Sequence, residues 1–127
     1  MKLAVIIGAV VIVLGGIFLI ANMGGGGGQG LTFQAVQADL ASGGQLIDVR
    51  TPSEYAAGHI DGALNLSLQD IQQGSVPSAA KTKPVYVYCH SGSRSGQAAT
   101  ILKAAGYQNI VDLGAIAHVQ AMGGNIK

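Results

Sequence analysis

The chain has no tryptophan and only one cysteine among its 127 residues. A single cysteine excludes an intramolecular disulfide and any zinc cluster built on several thiolates. The three histidines, His59, His90 and His118, lack metal-ligand spacing, so no metal site is expected. Charge is sparse as well. Seven Lys and Arg stand against six Asp and Glu, and setting Lys2 aside leaves six against six. A neutral chain without clustered cations has no basic surface for nucleic acid. The fold must therefore be held by its core. The lone thiol, Cys89, is either buried and inert or exposed and reactive.

Apolar residues and glycine are plentiful. Leu3 to Ala21 reads LAVIIGAVVIVLGGIFLIA, with no charge and no polar stripe. As a helix it spans roughly 28 Å, close to the ~30 Å hydrocarbon core of a bilayer. A secretory signal has a shorter apolar region and a small-x-small cleavage site. Here the exit is Ile20-Ala21-Asn22-Met23. Residues 1–22 are thus expected to be a transmembrane anchor, with a signal segment as the competing reading. Lys2 and the amino terminus place the N-terminus in the cytoplasm and the domain on the extracytoplasmic side, periplasmic or external. Residues 23–30, rich in glycine, read as a flexible tether of about 15 Å r.m.s. length.

Residues 31–127 alternate helix-like and strand-like segments. Thr32 can cap a helix through FQAVQADLAS that Gly43-Gly44 stops. Residues 45–49 read as a short buried strand. Thr51-Pro52-Ser53-Glu54 is a capping box, with proline at the first helical position, and its helix ends at Gly58. A strand over 63–66 and a short helix over 67–73 follow. Val85-Tyr86-Val87-Tyr88 is rich in strand formers. A helix over 94–105, a strand over 109–113 and a helix over 115–122 complete the pattern. Strands separated by helices imply a parallel sheet covered on both faces. Ligands bind such sheets at the carboxyl ends of strands, where Cys89 lies.

Cys89-His90-Ser91-Gly92-Ser93-Arg94-Ser95 joins a strand to a helix N-terminus. Backbone N–H groups, the helix dipole and the Arg94 charge all favour an anion at the centre of such a loop and lower the thiol pKa. Gly92 permits a backbone conformation closed to other residues. The expected product is a thiolate nucleophile in an anion cradle.

This segment resembles the active-site loop of the rhodanese family. Leu46-Ile47-Asp48-Val49-Arg50-Thr51-Pro52-Ser53-Glu54-Tyr55 and Gly58-His59-Ile60-Asp61-Gly62-Ala63-Leu64-Asn65 resemble two further family motifs, in the same order. The resemblance runs from about Leu31 to the C-terminus. It is nearest to the short exported rhodaneses of the phage-shock-protein type, through Ser95-Gly96-Gln97-Ala98 and the brief tail. The chain departs from many members by having Gly114-Ala115 and no tryptophan in its last helix.

The resemblance implies a three-layer α/β/α domain with a mostly parallel sheet, and a sulfurtransferase. Cys89 would take a sulfane sulfur from a donor such as thiosulfate and pass it to cyanide or a thiol. His90, Ser91, Gly92, Ser93, Arg94 and Ser95 would form the substrate loop. Asp48 and Arg50 would support it by ion pairing, and no cofactor is needed. His59 reads as a packed, hydrogen-bonded histidine, and His90 as a variable loop side chain.

Three other readings remain. A cysteine phosphatase or arsenate reductase also sets a thiolate and an arginine around an anion, but with five residues between them. Here four intervene, His90 to Ser93. A non-catalytic binding module would have no need of Cys89 and Arg94. A tethered sulfur carrier that hands its persulfide to a specific protein is compatible with the enzyme reading.

Overall fold

The computed structural model describes residues 30–127. The expected anchor, and the linker as far as residue 29, lie outside the described residues. Leu31–Lys127 form one compact unit. Among the described residues no helix is long and apolar enough to cross a membrane.

The unit runs α1 (Phe33–Ala41), β1 (Gln45–Asp48), α2 (Pro52–Ala57), β2 (Leu64–Asn65), α3 (Leu68–Gln72), β3 (Val85–Cys89), α4 (Ser93–Ala104), β4 (Ile110–Ala115) and α5 (Ile116–Ala121). The helix starts follow from side-chain caps. Thr32 Oγ1 accepts the Ala35 N–H at 3.2 Å, and Ser67 Oγ accepts the Asp70 N–H at 3.2 Å. Thr51 and Glu54 form the complete reciprocal box expected from the sequence. Each cap satisfies backbone donors that have no partner inside the helix.

The sheet has four strands in the order β2-β1-β3-β4, all parallel. Alternation along β3 builds two cores. Val85, Val87 and Cys89 point to one face and pack with Leu68 and Ile71 of α3 and Ala98, Ala99 and Leu102 of α4. Tyr86 and Tyr88 point to the other, with Phe33 and Val36 of α1 and Val119 of α5. Both sides of the sheet are thus dry, which is the three-layer architecture expected. The chain end closes this unit: Lys127 N–H donates to His59 O at 2.7 Å, beside an antiparallel bridge between Ile60 and Ile126.

Several boundaries differ from the sequence expectation. Cys89 is the last residue of β3 rather than the first residue after it, because it still pairs with Ala115. Helix α4 starts at Ser93 instead of Arg94, because Gly92 serves as its N-cap. Strand β4 runs on to Ala115, so α5 starts at Ile116. The cause is a bulge. Val87 pairs with Asp112 but Tyr88 pairs with Gly114, which leaves Leu113 as the extra residue.

Candidate active site

Strand β3 ends at Cys89, and the chain turns through Gly92 into α4. Gly92 has φ +101°, a left-handed value that favours glycine. A side chain there would also approach Gly114 of the bulged β4, whose Cα lies 3.6 Å from the position of an added Cβ. Bulge and loop therefore fit together, and Gly114 belongs to the site's frame.

Cys89 is 0% exposed. It is nevertheless unlike a core cysteine. Its Sγ accepts the Gly92 N–H at 2.9 Å and lies 3.6 Å from Ser95 Oγ, to which the thiol donates. That hydroxyl donates on to the Gly92 carbonyl at 3.0 Å. Burial pushes the thiol pKa up. Hydrogen bonds from the Ser95 backbone and hydroxyl, then from the Gly92 and Ser91 backbones, outweigh burial and bring it below its ordinary value. The choice between buried-inert and exposed-reactive thus fails here: the thiol is buried and poised for ionisation. Ser95 is itself 0% exposed, as expected of a group whose polar atom is fully used.

His90, Ser91 and Ser93 are exposed on the loop. The Arg94 charge, expected to favour an anion in the loop, is paired with a carboxylate. Its Nη1 and Nη2 donate to Glu54 Oε1 and Oε2 at 2.7 and 3.0 Å. The Glu54 partnership was not foreseen, because the capping box already explained that carboxylate. Arg94 also lines an open groove of about 400 Å³ with Val49, Pro52, Leu68, Gln69 and Gln72.

Asp48 and Arg50 form a buried ion pair. Arg50 Nη2 lies 2.7 Å from Asp48 Oδ2 and donates to the Gly58 carbonyl at 2.6 Å. The Tyr88 hydroxyl donates to Asp48 Oδ2 at 2.9 Å and accepts the Ile60 N–H at 3.0 Å. The pair sits on the Tyr88 face of the sheet, opposite the Cys89 sulfur. It fixes the end of β3 rather than touching the loop side chains. His59 stacks on Tyr55 with ring centroids 3.7 Å apart, and its Nδ1 lies 2.9 Å from the Tyr55 carbonyl. His118 is exposed on α5.

A thiolate held by N–H donors at a strand–helix junction is built for nucleophilic attack on an electrophilic centre bearing negative charge. Comparison with known proteins shows the family. The model of the rhodanese-like domain matches residues 32–115. The uncharacterized protein YqhL of Bacillus subtilis is 45% identical over 69 residues, 54% of this chain and 54% of that protein. The chain thus spans about half the length of that relative. PspE of Escherichia coli, named a thiosulfate sulfurtransferase, is 38% identical over 73 residues, 55% of this chain and 68% of PspE. The rhodanese-like domain of Alr3790 from Anabaena superposes with a TM-score of 0.59 at 31% identity, covering 65% of this chain and 97% of that domain. The chain belongs to the rhodanese-like domain family, whose named relatives include thiosulfate sulfurtransferases.

Proposed function

We propose that the protein is a rhodanese-type sulfurtransferase that works through a persulfide on Cys89. The observation that carries this reading is the sulfur at the end of β3, with the Gly92 N–H 2.9 Å away and Ser95 beside it. The Cys89 thiolate attacks the outer sulfur of thiosulfate or a related donor. A new S–S bond forms, the donor's S–S bond breaks, and sulfite leaves with the bonding pair. Cyanide or a thiolate then attacks the outer sulfur of the persulfide and releases the Cys89 thiolate. The two half-reactions give ping-pong kinetics. The loop N–H groups stabilise the anionic sulfur in both, and no cofactor takes part.

The donor and acceptor assignments rest on the names of the relatives. The short gap between Cys89 and Arg94 supports sulfur transfer over phosphoryl transfer, because the smaller ring suits a sulfur atom better than a tetrahedral phosphoryl group. The decisive measurement is intact mass after exposure to thiosulfate. A gain of about 32 Da on Cys89, with thiocyanate turnover lost in Cys89→Ser, is the expected result. Turnover without the adduct, or an equally active serine variant, refutes the persulfide route.

The same reading includes an anchor at residues 1–22 that tethers the domain on the extracytoplasmic side. Its support is the uncharged run Leu3 to Ala21 and the position of Lys2. Protease accessibility in cells tests it.

A further inference from the structure

Arg94 is the one full positive charge on the groove beside the loop, and it is compensated. The Glu54 carboxylate grips it with two hydrogen bonds, at 2.7 and 3.0 Å. That carboxylate is itself fixed, because Oε1 also accepts the Thr51 N–H at 3.2 Å and the Thr51 hydroxyl at 3.0 Å. Both partners are 33% exposed, so the pair is half-open to solvent where Arg94 leaves the loop and lines the groove. Of the other residues lining the groove, none carries a formal charge.

We propose that Glu54 sets the charge of the donor this site accepts, favouring a singly charged sulfane-sulfur compound, such as an organic thiosulfonate, over doubly charged thiosulfate. This rests on the sulfurtransferase reading and deepens it. The attacking thiolate is negative, so an anionic donor needs positive potential to approach. The loop N–H groups and the α4 dipole supply partial charges. A free Arg94 would add a whole one, but a close ion pair has almost no net charge beyond a few ångströms. Among the described residues lining the groove, the second negative charge of thiosulfate therefore meets no free cation, and it must compete with Glu54 for the guanidinium. Hydrogen bonding from Arg94 holds Glu54 at a pKa of about 2, so the compensating charge persists at any pH where a thiolate exists.

The chemistry is the same for both donors. Cys89 bonds to the outer sulfur, the bond from that sulfur to the sulfonyl group breaks, and the sulfinate or sulfite leaves with the electron pair. Only the charge of the incoming molecule differs.

Glu54→Gln isolates that charge. Glutamine keeps a side-chain oxygen for the capping box, so the fold of α2 is retained. The measurement is kcat/KM for methanethiosulfonate and for thiosulfate at low salt, in wild type and variant. The wild type is expected to prefer methanethiosulfonate. In the variant the ratio is expected to move several-fold toward thiosulfate, through its KM, and the gain is expected to shrink as salt is added. An unchanged ratio, or a higher KM for thiosulfate, overturns the proposal. Alkylation of Cys89 by iodoacetate relative to iodoacetamide reads the same potential without sulfur transfer, and this ratio is expected to rise in Glu54→Gln. If neither donor is turned over while the alkylation ratio rises, the sulfurtransferase reading fails and the charge role of Glu54 stands. An alkylation ratio that stays constant overturns the charge role.

Discussion

Ser95 meets Cys89 twice, through its backbone N–H and its hydroxyl, and both favour the thiolate. The hydroxyl sits 3.6 Å from Sγ and can turn its proton to the sulfur once the thiol ionises. Because the Cys89 pKa lies below its ordinary value, reactivity should switch on as pH rises through that lowered value and fade below it. Ser95→Ala removes the hydroxyl but keeps the backbone donor. Its alkylation rate against pH is therefore expected to shift toward higher pH relative to wild type. A profile that stays in place would show that the backbone donors act alone. The loop was legible in the sequence because its chemistry is contiguous, from Cys89 to Ser95. The Glu54–Arg94 pair was not. Its members come from two helices joined only through the folded sheet, and each residue already had a local explanation.

Among elements, the ends of β1 and β3 are tied to α2 by one buried network. Asp48 and Tyr88 are neighbours in register at the ends of their strands, and Arg50 links both to the Gly58 carbonyl that follows α2. Asp48 is 0% and Arg50 6% exposed, so removing one charge strands the other away from water. Asp48→Ala is expected to cost about 3–5 kcal/mol in urea unfolding. A loss below about 1 kcal/mol would mean that water reaches Arg50 once its partner is gone. Element identities could be read from caps and alternation: Thr32, Thr51 and Ser67 mark helix starts, and β-rich Val85–Tyr88 marks a strand. The bulge at Leu113 could not. A register shift is a relation between two strands, and Ile110–Ala115 alone carries no sign of how it pairs. The missed ends of β4 and α5 both follow from it.

At the scale of the whole molecule, one compact unit begins at Leu31, directly after the glycine-rich stretch. The proposed anchor at residues 1–22 would attach this unit to the bilayer. The full chain is expected in the membrane fraction, and residues 31–127 expressed alone are expected in the soluble fraction with turnover retained. Once any outer barrier is permeabilised, protease should remove the domain of the full chain from otherwise intact cells. Cleavage only after lysis would place the domain in the cytoplasm and reverse the proposed topology.

The burial of Cys89 also bears on how the protein survives oxidants. It is the only thiol in the chain. If peroxide converts it to a sulfenic acid, no resolving cysteine within the chain can trap that species as a disulfide, and further oxidation leads to a sulfinic acid that ordinary thiols do not reverse. Protection must come from access instead. Cys89 is 0% exposed beneath the Gly92 turn and shares a core cluster with Val87 and Ala98, so its sulfur is screened from solvent. The turn whose N–H lowers the pKa of this sulfur would thus also be its shield against irreversible oxidation.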